Sequence, residues 1–351
     1  VKVALAIGPC LPGECGVGDY TTCLATALTS LSADIHVITA GDWHFFGARK
    51  ILTFFKQQKF DIVHLEYPTV GFGHQLGPQV VSLLHKSIVT IHEASQRHIL
   101  RKISLLPFAV RPEHIIFTSV FEQQFVSQWL PWTARSSSVI PVGSNIPLVH
   151  SSGPRNLSEI VYFGLILPRK ELDHVFALAD LIRARNLSLV VRVIGHVSPK
   201  HQSFFQTLQA RGATLPIVWD CNLSDHQIAE RLAQASVAYL PYSDGASDRR
   251  TTLKTALQSG VAVVTTRGPH TTGDLAQLVK LAQDPQEALS VITSLLQDLN
   301  ERLRLGQQAV HFAQSYSWER IAKRHLGVYD SVLRKRSSYH SARAENRNVL
   351  G

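Results

Sequence analysis

The chain has 351 residues, 45% of them hydrophobic, and a formal net charge of +9 from 35 basic and 26 acidic side chains. This is ordinary globular composition, long enough for two domains of common size, and its longest apolar runs, such as Ile160–Leu167, are far too short to cross a bilayer. Nothing resembles a helix-turn-helix, an RRM or a zinc finger, so the positive charge points to phosphorylated ligands or an anionic surface before nucleic acid.

The first segment, Val1 to Ile7, is apolar and runs straight into a glycine-rich turn without a small-residue cleavage site. It reads as a buried strand and not as a leader peptide. Further strands are predicted at Ile35–Thr39, Asp61–Glu66, Ser87–His92, His114–Thr118 and Ser138–Val142. Helical patterns lie between them, for example Tyr20–Leu31 and Phe121–Trp129. The stretch from Pro147 to Ser158 is rich in proline, glycine and serine and reads as an interdomain linker.

The rhythm then restarts with strands at Ile160–Gly164, Leu189–Gly195, Ile217–Trp219, Val237–Pro241 and Val261–Thr265, and a helix at Leu253–Ser259. Continuous apolar runs suit strands covered on both faces, and strand–helix alternation implies parallel sheets. The fold class is therefore α/β, two Rossmann-like domains. From Trp318 the residues Ile321, Ala322, His325, Leu326, Tyr329, Val332 and Leu333 recur at helical spacing, with Ser317 as a cap. Beyond Lys335 the chain is polar and basic and is expected to be a loose tail.

Four cysteines, three of them near the N-terminus, fit no zinc spacing and read as thiols of a reducing compartment. No His, Cys, Asp and Glu set has metal-ligand spacing, so no metal is expected.

Four places can carry chemistry. The segment Gly13 to Tyr20, with Gly16, Gly18 and Asp19, stands between the first strand and helix, where glycines admit a ligand and helix-start amides face an anion. His92 and Glu93 end one strand, and Glu66, followed by Tyr67, ends another; open α/β sheets bind ligands at such carboxyl ends. The turn from Gly164 to Lys170 brings Arg169 and Lys170 just past the first strand of the second half, suited to a diphosphate. Finally, Ser243, Asp244, Gly245, Ser247, Arg249, Arg250, Thr251 and Thr252 link a strand to a helix N-terminus, a favourable anion site by dipole and donor count.

These segments, in this order, resemble the retaining glycosyltransferases of the GT-B fold, family 4 type. The likeness covers residues 1–333. It rests on Gly16–Tyr20, Asp61–His64, Thr90–His92, Phe117–Ser119, the Gly164–Lys170 loop, Ala256–Thr265 and the closing helix from Trp318 to Ala322. The resemblance implies two Rossmann-like domains facing across a cleft: an acceptor-side domain over 1–148 and a nucleotide-sugar donor domain over 149–315. A crossover helix over 316–335 would pack on the N-terminal domain, and a basic tail would cover 336–351.

By the resemblance, the Gly16–Gly18 loop approaches the donor, His92 contacts the donor sugar, and Lys170 with Arg169 holds the leaving diphosphate without a metal. His92, Glu93 and Lys170 are thus the expected catalytic set. Gly195 and the 243–252 loop are expected on the donor, and Glu66 and Tyr67 on the acceptor side. The chain departs from the pattern where the family carries two glutamates, here Ser247 and Thr255, and where it carries an arginine after Gly164, here Leu165.

The implied reaction is transfer of a hexose from a UDP-sugar such as UDP-glucose, with retention, to a glycan or lipid-linked acceptor in polysaccharide or glycoconjugate assembly. A cytoplasmic protein is expected, with peripheral contact at the inner membrane face through the basic and apolar segment Arg97–Leu106. Two rival readings share the fold: a nucleotide-sugar 2-epimerase, and a sugar-nucleotide binding protein without catalysis.

Overall fold

A computed structural model describes residues 1–10, 15–95, 102–149, 153–168 and 172–349. Among these the chain forms two compact units, one of residues 1–143 with 317–351, the other of residues 144–316.

The first unit is a parallel sheet in the order β2-β1-β3-β4-β5-β6. Its strands are β1 (Lys2–Ala6), β2 (Asp34–Ile38), β3 (Ile62–Tyr67), β4 (Ile88–Ile91), β5 (His114–Phe117) and β6 (Ser137–Val139). Its helices are α1 (Gly16–Ser30), α2 (Ala48–Gln58), α3 (Gly77–Leu84), α4 (Leu106–Val110) and α5 (Val120–Trp129). The last described helix, α13 (Trp318–Val349), completes this unit.

Every residue of β3 is buried, because alternate side chains enter cores on opposite faces of the sheet. Val63, Leu65 and Tyr67 join Ile51, Phe55, Val81 and Phe108 on one face. Ile62 joins Val3, Leu5, Tyr20, Leu24, Ile321 and Tyr329 on the other, under α1 and α13. That alternation sends His64 and Glu66 to the α13 face.

The second unit holds β7 (Asn156–Phe163), α6 (Leu172–Ala184), β8 (Val190–Gly195), α7 (Gln202–Arg211), β9 (Ile217–Cys221), α8 (Asp225–Gln234) and β10 (Ala235–Leu240). After them come α9 (Thr251–Gln258), β11 (Ala262–Thr265), α10 (Gly273–Leu278), β12 (Lys280–Leu281), α11 (Pro285–Gln297) and α12 (Leu299–Gln314). Its sheet order, β12-β11-β10-β7-β8-β9, is that of a dinucleotide-binding Rossmann domain, with the reversal of strand order between β7 and β10. α13 (Trp318–Val349) follows.

Three expectations need correction. Gly16 and Gly18 do not precede the first helix; they form its first turn, since α1 starts directly after Cys15. The expected linker ends early, because β7 begins at Asn156 and its exposed first residues extend the strand that pairs with β8 and β10. The segment beyond Lys335 is helical as far as Val349. Residues 336–349 lack proline and glycine, and Arg336 pairs with Glu113 and donates to the Asp61 carbonyl, which holds the helix beyond the apolar stripe. The two-residue strand β12 was not visible in the sequence, being too short to carry a pattern.

Candidate functional site

Open α/β sheets place ligands beyond the carboxyl ends of their strands, where strand order reverses. In the first unit that point lies between β1 and β3, and in the second between β7 and β10. The candidate segments fall at these two places.

In the first unit, α1 starts with Cys15 as an extended N-cap whose side chain makes no cap hydrogen bond. Space is open beside Gly16, and Asp19 lies in the first turn, favourable for the helix dipole. At the end of β3 stands Glu66, fully buried, and His92 at the end of β4 has Nε2 2.8 Å from Glu66 Oε2. The second carboxylate oxygen has no hydrogen bond among the described residues, and His64 Nε2 is 3.6 Å from it. His64 is bonded in turn to Thr90 Oγ1 at 2.7 Å and to the Tyr329 hydroxyl at 2.8 Å.

α13 contributes a third histidine, His325. Its Nδ1 donates to the Ile321 carbonyl at 2.8 Å, so in the neutral ring Nε2 is an acceptor, 3.3 Å from the Tyr20 hydroxyl. The Tyr20 ring meets His92 edge-on at 4.8 Å and lies 5.3 Å from Trp318. Tyr20, His64, Glu66, Thr90, His92, His325 and Tyr329 thus form one buried polar network between the sheet, α1 and α13.

Burial sets the protonation of this network. Desolvation, followed by like-charge repulsion from His64, pushes His325 down to about 4. Desolvation also lowers His64, against the attraction of Glu66. Burial and then the Glu66 charge raise Tyr20 and Tyr329, so both keep their protons. Burial pushes the Glu66 carboxyl up, but His64, the hydrogen bond from His92 and His325 together outweigh it and hold Glu66 below its ordinary value. The ionised Glu66 carboxylate thus lies beside the neutral rings of His64 and His325 and the protonated hydroxyls of Tyr20 and Tyr329.

The loop after β4 is fixed by a residue that the sequence pattern did not reveal. Glu122, in the first turn of α5, is buried and accepts from the Ala94 and Ser95 amides at 2.8 and 3.0 Å and from Ser95 Oγ at 2.7 Å. Ser119 caps the same helix by accepting from the Glu122 amide, and Thr118 Oγ1 donates to the His92 carbonyl at 3.1 Å. Glu93, in this loop, is half-buried. Tyr67 points to the opposite face from Glu66, packs on Phe108 and bonds Ser104 and Gln79, so it belongs to the core.

In the second unit the loop after β7 is drawn against β8. The Gly164 amide donates to the Ile194 carbonyl at 3.0 Å. Gly195 makes this possible, because a Cβ there would lie 2.5 Å from the Gly164 carbonyl oxygen and 2.7 Å from Ile166 Cγ1. The loop then leads toward Arg169 and Lys170, which lie outside the described residues, as do residues 97–101 of the basic and apolar segment.

After β10 the chain turns at Gly245, where φ is +80° and a Cβ would strike the Gly268 amide nitrogen at 2.1 Å. Tyr242 N donates to Thr266 Oγ1 at 2.8 Å, and Ala246 N to the Thr266 carbonyl at 2.9 Å. This anchored loop delivers Arg250 as the N-cap of α9 without a side-chain cap, so Thr251 and Thr252 open the helix. Arg250 pairs with Asp244, stacks 4.8 Å from the Tyr242 ring centroid, and is followed by a Tyr242 hydroxyl to Thr252 Oγ1 contact of 2.9 Å. Ser243 is exposed, while Asp248 and Arg249 are half-buried.

Ser247 and Thr255, where the resembling family has glutamates, are both buried here. Thr255 Oγ1 donates to the Thr251 carbonyl at 2.9 Å and meets Ser144 Oγ at 2.8 Å, whereas Ser247 Oγ has no partner. One turn into α9 lies Lys254, buried over the Tyr316 ring at 4.4 Å; burial, opposed by Asp248, pushes its ammonium down to about 8.

No protein-family model matches the sequence, and no curated protein matches it. Solved structures match along almost the whole chain. Sucrose-phosphate synthase from Thermosynechococcus elongatus superposes with a TM-score of 0.71 at 14% identity, over 95% of this chain and 99% of that one. HepE from Anabaena, in complex with UDP and glucose, does so with a TM-score of 0.66 at 14% identity, over 94% and 99%. A putative UDP-N-acetylglucosamine 2-epimerase from Listeria monocytogenes gives 0.65 at 11% identity, over 95% and 98%. With its two parallel six-stranded sheets, each flanked by helices, the chain has the GT-B fold of these neighbours.

No described helix is long and apolar enough to cross a membrane.

Proposed function

We propose that the chain is a glycosyltransferase that moves a hexose from a UDP-sugar to a glycan or lipid-linked acceptor, with retention at the anomeric carbon. The observation that carries this reading is the uncapped start of α9 at the strand-order reversal of the second unit. There the first amides of the helix stand beside Arg249 and Arg250. Helix-start amides flanked by guanidinium groups suit a diphosphate.

In this reading the second unit binds the donor through Gly164, the 243–252 loop and Lys170 with Arg169, while the first unit serves the acceptor. His92 meets the sugar. The bond between the anomeric carbon and the diphosphate oxygen breaks as the bond to the acceptor oxygen forms, and the acceptor proton leaves with the diphosphate. Positive charge and helix-start amides offset the charge that builds on the leaving oxygen, and no metal is required. The place of work is the cytoplasm, with peripheral contact at the inner membrane face, in polysaccharide or glycoconjugate assembly.

A thermal-shift and calorimetric screen across nucleoside diphosphates and their sugars tests the reading, because a ligand of the native state raises the melting temperature by mass action. Stabilisation by UDP and by at least one UDP-sugar is expected. Absence of any nucleotide effect at millimolar concentration would reject it. The epimerase reading draws on the Listeria likeness; sugar interconversion on UDP-N-acetylglucosamine with no acceptor added would favour it instead.

A further inference from the structure

We infer that Glu66 is a positioning residue: its carboxylate holds His92 as the tautomer with the proton on Nε2, and so presents a bare Nδ1 to a hydroxyl of the bound sugar. The sugar half of this rests on the glycosyl-transfer reading; the tautomer half stands on the geometry of the first unit alone.

Glu66 and His92 end neighbouring strands, with Glu66 opposite Thr90 and Tyr67 opposite Ile91 in the β3–β4 ladder. The His92 amide continues that ladder by donating to the Tyr67 carbonyl at 2.9 Å. The two side chains therefore meet through backbone register, not through a mobile loop. An ionised carboxylate only accepts hydrogen bonds, so the 2.8 Å contact at Glu66 Oε2 requires the proton on His92 Nε2. In the neutral ring Nδ1 is then an acceptor. It has no hydrogen-bond partner among the described residues and is not among the buried unpartnered atoms. The Glu66 side chain has no exposure while that of His92 retains 10%, so the ring stands between the carboxylate and the outside.

The ring cannot readily turn to exchange its nitrogens. Tyr20 bears on it edge-on, with the planes at 79°. Thr118 holds the His92 carbonyl, and Glu122 holds the backbone two and three residues further on. His64, anchored by Thr90 and Tyr329, closes the far side of the carboxylate. A merely structural ion pair would need none of this selectivity between the two ring nitrogens. A site that accepts a hydrogen bond from a hydroxyl does need it, since the other tautomer would present an N–H at Nδ1 in place of the acceptor.

Nitrogen NMR of the full chain labelled with ¹⁵N-histidine tests this, with His92→Gln identifying the resonances. In the native protein, long-range proton–nitrogen correlations are expected to show His92 protonated on Nε2 and bare on Nδ1. UDP-glucose is expected to move the Nδ1 resonance, and UDP alone to leave it in place. Glu66→Gln, which keeps the shape but adds an amide donor, is expected to yield mixed tautomers. It should weaken UDP-glucose about 10-fold while UDP binds as before, equivalent to ~1.4 kcal/mol and within the range of one lost hydrogen bond. Glu66→Asp, a second variant that keeps the charge, should shift the populations less.

A proton on Nδ1 in the native protein overturns the inference whatever the ligand does. Native tautomer and affinities in Glu66→Gln overturn it as well. If UDP-glucose binds without touching His92, the sugar contact is wrong although the tautomer is right. If neither UDP nor UDP-glucose binds, the functional reading falls while the nitrogen spectra still decide the tautomer.

Discussion

The Tyr329 hydroxyl lies 2.8 Å from His64 Nδ1, joining α13 to the middle of β3 across 265 residues of sequence. Both partners are fully buried, so neither can turn to water if the other is lost. The consequence is that the closing helix carries part of the polar interior of the first unit and does more than cover an apolar face.

Tyr329→Phe is therefore expected to destabilise the first unit by about 1–3 kcal/mol, the usual cost of an orphaned buried polar group. Urea denaturation followed by tryptophan fluorescence, with Trp318 next to Tyr20, is a suitable readout. An unchanged midpoint would mean that His64 finds another partner.

The buried histidines make stability depend on acid. His325 is held at about 4 and His64 below its ordinary value, while both return to an ordinary imidazole value of about 6.5 on unfolding. The folded state thus binds fewer protons. The stability these groups supply is present above pH 6.5 and is lost as pH falls toward 4. Melting temperature is expected to drop across that window, and His325→Gln to flatten the drop. A profile that is level from pH 7 to pH 4.5 would contradict the burial of these rings.

Thr251→Pro probes the start of α9 without disturbing the fold. Proline suits the first position of a helix, where its missing amide breaks no helical bond, and the preceding Arg250 is already extended at φ −80° and ψ 102°. The variant is expected to melt as the native protein does. Its affinity for UDP should fall about 10-fold, because one charge-assisted hydrogen bond is worth about 1.5–3 kcal/mol. Calorimetric titration decides; equal affinity would move the diphosphate elsewhere.

Lys254 is the buried cation of the second unit that the sequence reading passed over. Its ammonium is lowered to about 8 in the fold from 10.5, so the folded protein is most favoured by this group above pH 10.5 and loses that contribution as pH falls through 8. Lys254→Met is expected to raise stability at pH 7 by up to about 3 kcal/mol, at 1.36 kcal/mol per pKa unit, less the contact with Tyr316. A loss of stability, measured by urea unfolding, would show that the charge is better solvated than its burial implies.

Glu122→Gln is expected to cost about 1–3 kcal/mol by weakening acceptance from Ala94 and Ser95. Faster amide exchange at those two residues, with the core strands unchanged, would mark the loop after β4 as the part released. Unaltered exchange would deny Glu122 its hold on that loop.

The sequence by itself determined the α/β class, the positions of eleven of the twelve strands among the described residues and the loops at the strand ends. These follow from local rules: apolar runs of strand length, glycine and proline at turns, and an amphipathic stripe in the closing helix. Glu66, His92 and the 243–252 segment were legible because strand ends in such sheets are where polar residues gather. His64 was visible in the β3 pattern but carried no sign of its partners, and His325 and Tyr329 read only as members of a helical stripe.

Tertiary structure alone decided what these residues meet. The alternation of β3 turned His64 and Glu66 toward α13 and Tyr67 into the opposite core, and the strand order set Glu66 beside His92. Pairing across such distances depends on topology and register, and no local pattern of residues encodes which buried polar groups will satisfy one another.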